Sequence, residues 1–113
     1  MSVDAITIAA KALDGLNMRE AALAHNIANI SSPRFQAVEV NFEHQLKLAA
    51  RRGPQAVEQL KFSFQAGQMF EPGDDRREDL MLVDASQTAM RYAALADMTG
   101  RRYAIVEAAI GAR

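Results

Sequence analysis

The residues best suited to metal or acid–base chemistry are two histidines and two neighbouring glutamates. Glu39, Glu43 and His44 lie close together in the sequence, and His25 is the other histidine of the chain. Imidazole and carboxylate groups are common zinc ligands, so these four side chains could hold a metal ion. Metal sites in helical bundles, however, use carboxylates from several facing helices together with Glu-x-x-His pairs, and this sequence contains no such pair. A metal site is therefore disfavoured, and we interpret His25 as a hydrogen-bonded structural residue.

The composition excludes several other kinds of catalytic site. The chain has no cysteine, so it has neither a thiolate nucleophile nor a disulfide. It also lacks a glycine-rich loop of the kind that binds phosphate. The segment from Asp84 to Tyr92 contains no nucleophile beside a base. We therefore expect a protein that is not an enzyme and has no cofactor, and whose function depends on contacts.

Length and charge set further bounds. The chain has 113 residues, of which 50% are apolar, enough for one domain with a modest core. Thirteen basic and fourteen acidic residues give a net charge of −1, which offers no electrostatic footprint for nucleic acid or an anionic membrane. No apolar run approaches the roughly 18 residues that a membrane span needs, and the N-terminus does not read as a cleavable secretory signal. Composition alone therefore predicts a cytosolic protein with no membrane insertion.

The first long element is predicted to be an apolar-periodic helix. Its apolar positions alternate in steps of three and four, which is typical of a coiled-coil-like seam. Alanines fill the other faces, so neighbouring backbones could approach on several sides. The seam packs either within its own domain or against other chains, and on the second interpretation it contributes the subunit-packing residues. They are Ile6, Leu13, Leu16, Leu23, Ile27 and Ile30, with Ala9 and Glu20 in the same row.

A short polar turn follows this helix. Ser32 precedes Pro33, and the steric demand of the proline ring moves Ser32 out of the α region, so the helix must end at or before it. Asn29 and the serine pair can hydrogen-bond the freed backbone groups locally. The stretch from Asn26 to Phe35 therefore predicts a specified turn.

This stretch resembles the signature of the bacterial flagellar axial proteins, the rod, hook and hook-associated subunits, which reads N-x-A-N-x-x-T/S-P-x-Y/F. Serine stands at position 32 where threonine is commoner, Arg34 stands where glycine is usual, and phenylalanine at position 35 replaces tyrosine. The matching positions are Asn26, Ala28, Asn29, Ser32, Pro33 and Phe35.

Two further segments are similar to the rod proteins of that family. The first is Ala37–Glu43, and the second is the tail from Leu82 through Tyr92 to Ala109-Ile110. The likeness therefore covers both ends of the chain and leaves residues 47–78 poorly matched.

The resemblance implies a structural subunit of the flagellar basal-body rod, and hence a role in motility. Such a subunit would assemble with copies of itself and other rod proteins, and would meet the rod–membrane-ring adaptor and the export gate. It would leave the cell through the flagellar type III channel without a cleaved signal and reside in the periplasmic rod. Here the resemblance disagrees with composition, and we follow the resemblance. The alternative is a small helical adaptor or secretion-associated module that binds one partner.

The middle of the chain is predicted to be extended, with short local elements. Alternation at Val38 and Val40 indicates an extended segment, and Glu43–Arg52 reads as a short helix that ends before Gly53-Pro54. Alternation from residue 60 to 65, followed by Ala66-Gly67 and residues 68–70, predicts a small β-hairpin. Residues 72–75 and the charged run to residue 79 are predicted to form a solvated linker.

The second long helix is predicted to begin near Asp79 or Asp84. Its stripe contains Met81, Ala85, Thr88, Tyr92, Leu95, Met98 or Thr99, Val106 and Ile110, and Tyr92, Leu95, Met98, Val106 and Ile110 are its candidate subunit-packing residues. We therefore expect a mainly α fold in which helices near residues 4–30 and 84–110 pair as an antiparallel coiled-coil-like hairpin. The chain would form one domain, with a helix and turn over 1–32, an extended middle segment over 33–78, and a second helix over 79–113.

Overall fold

The computed structural model describes residues 3–69 and 75–111, and these form a mainly helical molecule. Two long helices lie at the ends of the chain, and two short helices and two short strands lie between them. The elements are α1 (Val3–Asn29), β1 (Gln36–Glu39), α2 (Glu43–Arg52), α3 (Pro54–Gln59), β2 (Gln65–Met69) and α4 (Asp75–Gly111).

Helices α1 and α4 pack along each other in opposite directions. Leu95 of α4 packs against the cluster that contains Leu16 of α1, whereas Met81, earlier in α4, packs with Ile27 and Ile30 near the end of α1. Thr88 is fully buried between them. The predicted pairing of the terminal helices is therefore confirmed.

The molecule is long and thin. Its principal extents are 62 × 26 × 14 Å, and its radius of gyration is 17.3 Å, whereas a compact domain of this length would have a radius of about 13 Å. Because the structure is so thin, the outer side of α4 has no second layer to cover it.

The middle segment packs on a second side of α1. Phe42, Leu46 and Val57 form one core cluster with Leu16 and Ala22 of α1. Helix α2 spans the residues predicted for it. Helix α3 was not predicted. It begins at Pro54, a residue suited to the first helical turn, and Lys11 of α1 donates a 2.6 Å hydrogen bond to the Leu60 carbonyl that follows α3.

The chain forms a two-stranded antiparallel sheet, but its strands differ from those predicted. Strand β2 pairs with the distant β1, with Val38 opposite Ala66 and Glu39 opposite Gln65. Ala66-Gly67, expected to be a turn, lies inside β2. The expected strand over residues 60–64 is irregular, because Leu60 and Phe62 pack into the core cluster instead of alternating across a sheet.

Helix α4 begins earlier than predicted. It starts at Asp75, so the charged residues up to 79 are helical and do not form a linker. Arg77 is anchored, since it donates a 3.1 Å hydrogen bond to the side chain of Gln68. The rest of the predicted linker falls within residues 70–74, outside the described residues.

Gly15 explains how Phe42 reaches the core. A Cβ atom built on Gly15 would lie 2.4 Å from Cγ of the Phe42 ring, so the ring rests directly on the backbone of α1. Glycine in a helix interior costs roughly 1 kcal/mol relative to alanine. The close approach of a buried aromatic ring offsets that cost here.

We expect Gly15→Ala to lower the free energy of unfolding by about 1–3 kcal/mol, because the overpacked methyl group would displace the Phe42 ring. Urea denaturation followed by circular dichroism measures the change. Gly100→Ala is the matched control, because a Cβ there would meet no described atom within 4 Å, and we expect it to stabilise the protein by up to about 1 kcal/mol. Equal effects of the two substitutions would contradict the assigned role of Gly15.

Candidate functional site

The side chain of Asn26 substitutes for a strand at the edge of the sheet. Its Nδ2 donates to the Val38 carbonyl at 2.8 Å, and its Oδ1 accepts from the Val38 backbone N–H at 2.9 Å. The Asn26 side chain is almost fully buried. A primary amide carries one donor pair and one acceptor, so it reproduces the two hydrogen bonds that a neighbouring strand would make. The first asparagine of the motif therefore fixes β1 onto α1.

Arg19 lies seven residues earlier, two turns back on the same face of α1. Its guanidinium donates to the Val40 carbonyl at 2.7 Å and to the Glu43 carboxylate at 2.8 Å. The guanidinium carbon also lies 4.7 Å from the centre of the Phe42 ring. Arg19 therefore continues the edge that Asn26 begins and links it to the first turn of α2.

The charge of Glu43 is stabilised by this contact. The hydrogen bond from Arg19 lowers the pKa of Glu43 despite an opposing effect of burial, and the same bond raises the pKa of Arg19. Glu43 is also the acidic residue in the first turn of α2, where the helix dipole favours a negative charge. Since this carboxylate already pairs with Arg19, it is not a free metal ligand.

The other residues of the motif shape the turn. The Asn29 side-chain Nδ2 donates a 2.8 Å hydrogen bond to the backbone carbonyl of His25. The backbone carbonyl of Asn29 accepts a 2.9 Å hydrogen bond from the Ser32 N–H. Phe35 is buried with Ala37 and Met81, which joins the turn to α4. Ala28, Ser32 and Pro33 are exposed. The motif thus ends α1 and starts β1.

Arg34 occupies the left-handed region of the backbone. Its φ is 56°, and it is the one non-glycine residue with a positive φ among those the structure describes. This is the position where the axial-protein signature usually has glycine. Glycine adopts this conformation without a steric cost, whereas a residue with a Cβ does not.

The structure places most of the predicted packing residues inside the chain. Leu16 and Leu23 are buried, and Ile6, Leu13, Ile27, Ile30, Leu95 and Val106 are partly buried. Tyr92, Met98 and Ile110 are exposed. The two predicted seams therefore largely cover each other, and Leu16 and Leu23 in particular are not available to a second chain.

A second apolar row on α4, which we call the outer stripe, is exposed and open to a partner. It lies on the face of α4 turned away from Thr88 and runs from Leu80 to Ile105, about 38 Å along the helix. The five large members are between 54% and 71% exposed. The outer stripe consists of Leu80, Val83, Met90, Ala94, Met98 and Ile105.

The sequence carried the signal for this row, but the prediction did not separate it from the inner seam. The predicted stripe placed Met98 with the inner seam, whereas Met98 is exposed and lies on a second face with Leu80, Met90 and Ile105. The residues of the outer stripe follow one another at helical spacing, with Gln87 and Arg101 as the polar positions between them.

Side chains for metal binding are not brought together. In residues 3–69 and 75–111, no three His, Cys, Asp or Glu side chains converge on one point, and His25 faces the Asn29 amide at 3.4 Å. A cleft of about 750 Å³ lies between α1, β1 and the first half of α4. Its polar lining includes Arg19 and Asn26, whose hydrogen bonds are made within the protein. The described helices include none long and apolar enough to cross a membrane.

Comparison with known proteins gives no relative: no family model, no curated protein and no solved structure matches the chain.

We expect Asn26→Ala to lower the free energy of unfolding by about 2–4 kcal/mol, because it leaves the N–H and carbonyl of Val38 without their partner. Chemical denaturation measures the loss. Asn17→Ala removes an exposed amide from the same helix and should change stability by no more than about 0.5 kcal/mol. A similar small effect of both substitutions would mean that Asn26 does not hold β1.

Arg34→Gly should raise the free energy of unfolding by about 0.5–1 kcal/mol, because glycine relieves the left-handed strain but loses more chain entropy on folding. The thermal midpoint measures this gain. Arg34→Ala is the control, since alanine keeps the strain while removing the same exposed side chain. If alanine stabilises the protein as much as glycine does, the backbone conformation is not the cause.

Proposed function

We propose that this chain is a structural subunit of the bacterial flagellar basal-body rod, most similar to proximal-rod subunits, and that it works by assembly without chemistry. The observation that carries the proposal is the outer stripe, whose large side chains are more than half exposed along α4. An exposed row of large apolar side chains of this kind is a mark of an interaction site. The motif from Asn26 to Phe35 supplies the link to the axial proteins.

The motif also has a physical role that suits such a subunit. Asn26 and the turn after it hold the middle segment against one side of α1, while α4 occupies another side. This arrangement leaves the outer stripe uncovered on an elongated hairpin. In an assembled rod the stripe would become interior, and its burial would drive polymerisation at roughly 25 cal/mol per Å² of apolar surface.

Location and partners follow from the resemblance. The subunit would pass through the flagellar export channel without a cleaved signal peptide and join the periplasmic part of the basal body. Copies of the chain and other rod proteins would be its neighbours, with the rod–membrane-ring adaptor and the export gate at the base.

A small helical adaptor is the second candidate. The same outer stripe would then bind one helix of one partner and form a closed complex of fixed composition. A rod subunit, by contrast, uses heterologous contacts that do not close and therefore assembles without a fixed end point. Assembly behaviour separates the two functions.

We expect Met90→Asp to block incorporation into the rod while leaving secretion intact, because it places a charge in the centre of the outer stripe without touching the internal core. The measurements are motility, subunit in the culture supernatant, and subunit in purified basal bodies of a strain that carries the variant as its sole copy. Ala89→Asp is the control, because Ala89 is exposed but about 100° round the helix from Met90. Leu23→Asp is unsuitable, since that residue is buried within the chain.

Normal incorporation of Met90→Asp would show that the outer stripe is not an assembly surface. Normal motility and complete rods in a strain that lacks the chain would exclude the rod function. Recovery of the chain in a closed complex with one helical partner would favour the adaptor.

A further inference from the structure

We propose that the outer stripe of α4 binds α1 of a second copy of this chain, on the side of α1 that neither α4 nor the middle segment covers. This inference rests on the proposed function, because it takes self-assembly as the role of the outer stripe. It adds the identity of the occupant and the direction in which the two helices run.

The third side of α1 is a narrow face of small residues, which we call the alanine face. One side of α1 packs on α4, and the side that carries Arg19 and Asn26 packs on the middle segment. The alanine face lies on the remaining side, and all of its residues are exposed. It consists of Ala10, Asp14, Asn17, Ala21, Ala24 and Ala28.

The side chains of the two surfaces differ in size, and this difference favours packing of one surface against the other. The outer stripe carries large flexible side chains, whereas the alanine face lets another backbone come close. Large side chains packed against small ones fill the space between two helices, and two large rows would hold the helices apart. A second outer stripe is therefore a poorer occupant than the alanine face.

Charge complementarity fixes the register. Asp14 is the charged member of the alanine face, and Arg101 is the charged position in the row of the outer stripe. With the helices antiparallel and Asp14 opposite Arg101, Ala21 lies opposite Ala94, and the other opposed pairs are Ala10 with Ile105 and Asn17 with Met98. From Ala10 to Ala21, and from Ile105 to Ala94, the two rows advance in the same steps of four, three and four residues.

Arg101 is able to make this contact. In the isolated chain its Nε lies 3.1 Å from the Asp97 carboxylate, and both side chains are mostly exposed. An exposed ion pair of this kind contributes little, and the guanidinium has further N–H donors directed elsewhere. It can therefore bind Asp97 and a second carboxylate together.

The consequence is a contact that one pair of copies does not saturate. The outer stripe and the alanine face are different surfaces on different helices of one chain, so a contact between copies leaves one of each surface free. Contacts of this heterologous kind produce rings or helical filaments and do not stop at a symmetric dimer.

Cysteine cross-linking tests the occupant directly, because the natural chain contains no cysteine. Ala21→Cys and Ala94→Cys are prepared as separate full-length variants, mixed, and mildly oxidised. We expect a disulfide-linked heterodimer in the mixture and little product from either variant alone. Ala21→Cys mixed with Ala89→Cys is the control, because Ala89 is exposed off the stripe.

Charge reversal provides the second arm. Asp14→Arg and Arg101→Asp should each weaken self-association of the purified chain by about tenfold, as like charges then oppose each other, and the double reversal should restore it. Sedimentation velocity over a concentration series measures the association. Glu107→Arg and Arg51→Asp carry equal charge changes on exposed sites outside both surfaces and should have no effect.

The outcomes separate this pairing from the rod function. Efficient disulfide formation by Ala94→Cys alone would mean that outer stripes pair with each other, which overturns the inference. So would the absence of an Ala21–Ala94 disulfide together with unchanged association of the reversed variants. If Met90→Asp still abolishes incorporation in that case, the rod function stands without this pairing. If cross-linking and rescue succeed but the chain is missing from basal bodies, the pairing stands without the rod function.

Discussion

The pairing of the Asn26 amide with the backbone of Val38 is the contact on which the rest of the structure depends. A two-stranded sheet has little stability in water by itself, and β1 contains four residues. Asn26 and Arg19 give the free edge of β1 the partners that a third strand would give, and they do so from a helix. Strand β1 in turn carries Val40 and Phe42 into the core, so the position of α2 and α3 on α1 follows from these side chains.

Three different sides of α1 then have three different environments. The side with Leu16 and Leu23 is covered by α4, the side with Arg19 and Asn26 is covered by the middle segment, and the alanine face is exposed. Gly15 permits the second contact, because a larger residue would collide with the Phe42 ring. Ala9 and Ala22 are buried where other elements pack on α1, whereas Ala10, Ala21, Ala24 and Ala28 are exposed.

The parts of the fold that depend on local pattern could be predicted from the sequence. The seam of α1, the end of that helix before Pro33 and the bounds of α2 all follow from spacing and from residues that stop helices. The pairing of β1 with β2 could not be predicted, because Ala66-Gly67 resembles a turn locally and the partner strand lies nearly thirty residues away. The role of Gly15 was hidden for the same reason, since its cause is the distant Phe42. Within the site, the motif singled out Asn26, but the contact of its buried amide depends on tertiary structure. The outer stripe could be identified only once the packing on α1 showed which side of α4 faces inward.

The thinness of the molecule connects the fold to the proposed function. With a smallest extent of 14 Å, the molecule is little more than one helix diameter deep, so α4 can be covered on one side alone. The apolar row on the other side of α4 is exposed to water in an isolated chain. Binding of a second chain would remove that surface from water and lower the free energy of the assembly. The hydroxyl of buried Thr88 finds no hydrogen-bond partner among the described residues. In the assembly we propose, neighbouring subunits would supply the contacts that cover the outer stripe.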